Sequence, residues 1–263
     1  EVAAIVSKLY IDDAADLIDE LPANLVSKVL QNASPTKRKA INEILKYPED
    51  SAGSIMTVEY VDIKSGLTVK ECFDRIRRIG LNKETVYTLY VVDADRRLIG
   101  VTTVKELLMR DYDTCINDFM EDNVITVTTN EDKEEVAKMF DKYDFLALPV
   151  VDNENRLVGI VTVDDAMDVM SEENEEDFEI MAAMTPSEDD YLKESVITQY
   201  KNRIVWLLVL MLSSIITGKI ITNYEVTFSA IPLLVSFIPM LMDTGGNAGG
   251  QSSVTIIRGL SLN

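Results

Sequence analysis

Three different rhythms of apolar residues follow one another along the chain. In residues 1–52, Ile5, Leu9, Ala14, Leu17, Ile18 and Leu21 recur at helical spacing, and a second such run continues through Leu25, Val29 and Leu30. Pro22, Pro35 and Pro48 punctuate the stretch, and Ser34 before Pro35 reads as an N-cap with proline in the first helical position. These positions predict a small layer of short helices. The rhythm then changes to short strand-like runs. Val91-Val92-Asp93 and Arg97-Leu98-Ile99-Gly100-Val101 return as Val150-Val151-Asp152 and Arg156-Leu157-Val158-Gly159-Ile160, always 59 residues on. Over positions 91–104, eight of fourteen residues are identical at that offset, including Thr103 with Thr162, so the segment is a repeat. Each copy predicts strand, Asp-containing turn, strand and helix. Each is preceded by a helix (69–79 and 133–143) and by a Met-centred entry, Ser54-Ile55-Met56 and Asp118-Phe119-Met120. The copies are expected at 53–112 and 113–170.

The third rhythm is long and apolar. Residues 204–222 run from Ile204-Val205-Trp206 to Ile220-Ile221, and as a helix they span roughly 28 Å, close to the thickness of a bilayer core. Lys201 and Arg203 precede Trp206, which predicts a cytosolic end there. A second apolar run, 226–242, is interrupted by Pro232 and Pro239 and by the glycine-rich block 243–251 before a further apolar stretch at 254–262. Residues 204–263 are thus expected to hold two membrane helices with a non-helical break in the second.

Charge separates the same regions. The formal net charge is −20, made of −22 in residues 1–194 and +2 in residues 195–263. Such an acidic soluble part repels phosphates, which argues against a nucleic-acid partner and suits a cation. Residues 164–194 alone carry thirteen acids against Lys193. Ile180, Met181, Met184, Leu192 and Val196 keep an apolar thread through them, so part of the connector, placed at 171–203, is expected to be helical. The chain has no His, and Cys72 and Cys115 are isolated, which excludes zinc sites of the usual spacing and His-based catalysis. No nucleophile stands with a base and no phosphate loop is present, so an enzyme is not expected. The chain does not begin with Met and reads as a piece of a longer protein, with nothing like a signal peptide at its start.

The repeat resembles the paired cystathionine-β-synthase (CBS) domain. The first copy has Gly100-x-x-Thr103-x-x-Glu106 and the second Gly159-x-x-Thr162-x-x-Asp165. The resemblance implies that Thr162 and Asp165 could hold the ribose of ATP or another adenine nucleotide, whereas Glu106 departs from the usual Asp. The block Pro239-x-x-x-Asp243-x-Gly245-Gly246-Asn247-x-Gly249-x-Gln251 is similar to the signature at the second membrane helix of MgtE magnesium channels. The order of parts agrees with that family, as does Tyr47-Pro48-Glu49-Asp50-Ser51-Ala52-Gly53 at the junction before the repeat.

The resemblance implies a multidomain fold: an all-α N-terminal superhelical domain, an α+β CBS pair, an acidic connecting (plug) helix and α-helical membrane segments. It implies a Mg2+-gated channel or transporter, a homodimer in membrane lipid, multi-pass in the inner (plasma) membrane with its N-terminal domains in the cytoplasm. Pro239, Asp243, Gly245, Gly246, Asn247, Gly249 and Gln251 would belong to the ion path, where Asn247 and Gln251 offer neutral oxygens to an ion that keeps its waters. Carboxylates crowded together repel, by up to roughly 4 kcal/mol for two charges about 4 Å apart at an effective dielectric near 20, and Mg2+ between them removes the repulsion. The sensing carboxylates are expected where the second CBS copy meets the connector, at Asp165, Asp168, Glu173, Glu176 and Asp177. Asp12 and Asp16, then Asp19 and Glu20, would oppose them from the N-terminal layer. The rival expectation is a membrane-anchored CBS regulator that senses adenine nucleotide for another transporter. It needs Thr162 and Asp165 but neither the acidic connector nor the glycine-rich block.

Overall fold

The computed structural model describes residues 5–6, 8–19, 21–187 and 194–261. Its residues fall into two units, Glu1–Met170 and Ser171–Asn263. The first opens with three short helices, α1 (Ile11–Asp19), α2 (Ala23–Asn32) and α3 (Pro35–Ile44). Ser34 caps α3, its hydroxyl accepting from Lys37 N–H at 3.2 Å, with Pro35 at the first helical position as expected. Ile11, Ala14, Ala15, Ile18, Val29, Ile41 and Ile44 bury one common face, against which Val58 from the following segment also packs. The layer therefore borrows part of its core from its neighbour.

The repeat folds twice into the same three-stranded arrangement. β1 (Asp62–Lys64) pairs in parallel with β2 (Thr88–Val92), which pairs antiparallel with β3 (Leu98–Thr103). β4 (Val127–Thr128), β5 (Ala147–Val151) and β6 (Leu157–Thr162) repeat this order. Helix α4 (Val69–Ile79) joins β1 to β2, and its counterpart α6 (Lys133–Tyr143) joins β4 to β5. Their starts are chemically defined: Thr68 and Glu71 form a reciprocal capping box, and Asp132 accepts from Glu134 N–H at 2.9 Å. The Asp of each hairpin holds its turn. Asp93 Oδ1 accepts from the amides of Asp95 and Arg97, and Asp152 Oδ1 from those of Glu154 and Arg156. Arg96 and Asn155 take the left-handed conformation at the same step. A short helix α5 (Val104–Leu108) follows β3, and α7 (Val163–Met181) follows β6.

The Met-centred entries cross over between the copies. Thr57 exchanges backbone hydrogen bonds with Ile160 of β6, at 2.8 and 2.9 Å, while Glu121 does so with Val101 of β3, at 2.9 Å each way. Ala52 and Met56 are accordingly buried in the core of the second copy, and Phe119 and Met120 pack against that of the first. A third core lies between the copies, with Tyr60, Tyr90 and Leu98 meeting Val151, Leu157 and Ile160. The crossing accounts for the two aligned glycines. A Cβ on Gly159 would lie 2.6 Å from Met56 Sδ, and one on Gly100 would lie 2.8 Å from Met120 Sδ.

The second unit is built differently: no described residue in it is buried. α8 (Val196–Asn223) is 28 residues long with a mean hydropathy of 2.2 in its most apolar window, and by length and composition it is the one described helix able to cross a membrane. Ser214, Thr217 and Thr222 turn their hydroxyls back onto carbonyls four residues earlier. α9 (Glu225–Ala230) and α10 (Leu233–Ser261) complete the unit.

Two expectations are corrected here. The glycine-rich block is no break: Pro239, Asp243, Gly245, Gly246, Asn247, Gly249 and Gln251 all lie within the single helix α10. Four glycines cost about 1 kcal/mol each relative to alanine, yet the helix runs unbroken through them. The acidic helix also begins earlier than residue 171, at Val163 directly after β6, and ends at Met181 rather than running to 203. Residues 188–193, with Glu188, Asp189, Asp190 and Leu192 of the acidic run, lie outside the described residues, as does Glu20.

Candidate metal centre

Three carboxylates from three separate segments converge in the first unit. Asp12 stands in the first turn of α1, Glu84 in the loop after α4, and Asp165 in the first turn of α7. One oxygen of each lies within 4.8 Å of the others. Asp12 is buried, and Glu84 and Asp165 are half-buried. Asp12 Oδ1 and Glu84 Oε2 are shut away from solvent with no hydrogen-bond partner. Asp165 Oδ2 accepts from the Thr162 hydroxyl and, at 3.4 Å, from its amide, which points the carboxylate into the cluster from the end of β6.

The electrostatics are those of crowded anions short of a cation. Burial pushes Glu84 up to about 8, and the charges of Asp12, Asp165 and Asp164 add to this against a hydrogen bond from Thr57. Burial pushes Asp165 up to about 7, with Asp12 and Asp164 adding against the hydrogen bonds from Thr162. Burial likewise brings Asp12 to about 6, where Asp13 and Asp16 also raise it against backbone hydrogen bonds. No basic side chain is among the leading influences on any of the three. Buried carboxylate oxygens without donors are costly alone and well suited to a hard divalent cation with oxygen ligands.

Of the expected sensing residues, the fold brings together Asp12 and Asp165 and supplies Glu84 as the third. Asp16 is exposed one turn further along α1, within electrostatic reach of Asp12. Asp168 is exposed on the next turn of α7. Glu173, Glu176 and Asp177 lie on the distal part of that helix, in the second unit, and are not among the converging three. Glu84 carries no signal in the sequence. It is one acid in an aperiodic loop, and only the tertiary fold sets it opposite Asp12. Asn247 and Asp243 of the glycine-rich block face one another along α10, Asn247 Nδ2 donating to Asp243 Oδ2 at 3.4 Å.

Residues 1–50 match the model of the MgtE intracellular N domain, and residues 52–113 and 116–172 that of the CBS domain. The crystal structure of the cytosolic domain of the Mg2+ channel MgtE in complex with ATP superposes with a TM-score of 0.61 at 42% identity, covering 64% of this chain and 68% of that one. The chain belongs to the MgtE family. Among curated MgtE proteins it is 38% identical over 255 residues to the magnesium transporter MgtE of Thermus thermophilus, covering 95% of this chain and 56% of that one. It is 36% identical to the magnesium transporter MgtE of Bacillus subtilis, covering 97% of this chain and 56% of that one. The chain thus spans little more than half the length of these relatives. They are transporters, not enzymes. The MgtE family also accounts for the order observed here, a helical N-terminal layer followed by a CBS pair.

Proposed function

We propose that this chain is the sensing part and the first membrane segments of a Mg2+ channel or transporter, and that Asp12, Glu84 and Asp165 hold the sensed ion. One observation carries the reading: three carboxylates from different parts of the chain converge with two buried oxygens lacking partners. Bound Mg2+ supplies the missing positive charge. Asp12 then ties the N-terminal layer, Glu84 the first CBS copy and Asp165 the second copy into one arrangement, which is the closed state. When Mg2+ is scarce the like charges loosen that arrangement and the path opens. Taking such a gate from mostly open to mostly closed needs about 5.5 kcal/mol of differential binding, so Asp16, Asp168, Glu173, Glu176 and Asp177 serve as further, weaker sites. α8 crosses the plasma membrane with the CBS pair in the cytoplasm, α10 enters it only in company with other helices, and a second copy of the chain completes the path, which the Asp243–Gln251 segment of α10 helps to line.

Flux into vesicles over a range of Mg2+ on the cytosolic side tests this in the full-length protein. The parent is expected to close as Mg2+ rises, and Asp12→Asn/Asp165→Asn to stay open. A double variant that closes at the parent's concentration refutes the assignment. The nucleotide reading has its own support: the Thr162–Asp165 hydrogen bond at the end of β6, and the ATP complex of the related cytosolic domain. We infer that an adenine nucleotide binds beside the same Asp165, and an ATP titration of Thr162→Val that matches the parent would dismiss it.

A further inference from the structure

The centre is made of pieces that do not adjoin in the chain, and one short segment touches all of them. Thr57 pairs with Ile160, five residues before Asp165. The carbonyl of Glu59 accepts from the amide of Glu84 at 3.0 Å. The carboxylate of Glu59 accepts from the amide of Ile11 at 3.0 Å, at the first residue of α1 and next to Asp12. Glu59 itself is steadied from behind, its amide donating to Thr57 Oγ1 at 3.4 Å. It is half-buried and is not one of the three converging carboxylates.

We propose that Glu59 is a positioning residue of this centre, fixing Asp12 against Glu84 through its two hydrogen bonds without being a ligand. The inference rests on the reading of Asp12, Glu84 and Asp165 as a Mg2+ centre. An acceptor at the start of a helix meets an amide that has no partner within the helix. The contact joins positions 48 residues apart, so it orients the whole of α1 against the CBS pair rather than capping it locally. Groups that orient metal ligands commonly change metal affinity by about 10- to 100-fold when altered.

Reach, not charge, is then what matters at position 59, and two substitutions separate them. Glu59→Gln keeps an oxygen at the same distance and loses the charge. Glu59→Asp keeps the charge and draws the oxygen back by one methylene. In the full-length protein in detergent, titrated with Mg2+ alone, hydrogen exchange of the α1 amides reads the midpoint of closure. Glu59→Asp is expected to raise that midpoint by roughly tenfold, and Glu59→Gln to leave it within about twofold. On an Asp12→Asn background Glu59→Asp is expected to add nothing, because it acts through Asp12. A Gln variant shifted as far as Asp, an unshifted Asp variant, or shifts that add fully would each overturn the proposal. So would a Glu59→Asp chain that loses protection in β5 and β6 without Mg2+, since Glu59 would then hold the fold and not the centre. If Asp12→Asn alone leaves the midpoint in place, the metal reading has failed, an outcome distinct from the failure of Glu59.

Discussion

The two copies of the repeat share a backbone and differ in what stands opposite their last strand. In both, an Asp-held turn joins the antiparallel strands, a bulge falls at the same step, and a helix carries an aligned acid in its first turn. In the first copy that acid, Glu106, accepts from the Thr102 hydroxyl at 2.7 Å, while Thr103 caps the Glu106 amide. In the second, Val161 replaces the partner threonine and Asp165 turns to Thr162, facing Asp12 and Glu84. The scaffold is duplicated and the chemistry is not. What makes one copy a candidate metal centre is the N-terminal layer laid against it.

The sharpest way to break this contrast is to neutralise the aligned acids in turn. Asp165→Asn is expected to raise the Mg2+ midpoint for protection of α1 by at least about tenfold, and Glu106→Gln to leave it in place. Equal shifts would mean that the copies are equivalent.

A pH titration gives the next largest effect. Asp12, Glu84 and Asp165 have pKa values of about 6, 8 and 7, all raised. A carboxyl whose folded pKa exceeds its unfolded one contributes stability that is complete below the unfolded value and is lost as pH rises through the folded value. Without Mg2+, thermal stability of the first unit is therefore expected to fall between about pH 4 and pH 8 as these three groups ionise. Glu84→Gln should flatten the upper part of that fall and add about 1 kcal/mol at pH 8. Mg2+ should bind more tightly across pH 6 to 8 as its ligands lose protons. Calorimetry with and without Mg2+ measures both, and a stability that rises over that window would contradict the raised values.

Gly100→Ala and Gly159→Ala sharpen the comparison further. Both overpack, and each is expected to cost about 1–3 kcal/mol in chemical denaturation. Only Gly159→Ala presses on Thr57, whose carbonyl would lie 2.9 Å from the new Cβ, so it alone should weaken Mg2+ binding. The smallest effect is expected at the helix caps. Thr68→Ala and Asp132→Ala should each cost about 1 kcal/mol and leave the Mg2+ midpoint in place.

Local chemistry was legible in the sequence; convergence was not. The repeat, the Ser34-Pro35 start of α3 and the helices after residues 68 and 132 are written in side chains that act within four residues. Asp12 and Asp165 could be suspected because acids are dense around them. Glu84 could not, because its role comes from a hydrogen bond and two approaches spanning 25 to 81 residues of chain. The glycine-rich block misled for the opposite reason: local propensity reads it as a break, while the helix Leu233–Ser261 runs through it uninterrupted.

The crossed entries also set a timetable for the newborn chain. A protein leaves the ribosome from its N-terminus at roughly 5–20 residues per second. Met56 and Thr57 are made early, yet the strand they complete ends beyond Ile160. Until Ile160 is made, 103 residues after Thr57, the first entry has no partner and its apolar side chains stay open to wrong ones. The exchange at Val101 and Glu121 closes much sooner. The pair should therefore mature in one late cooperative step rather than copy by copy, and a stall between residues 121 and 160 should leave a half-made sheet that other chains can capture.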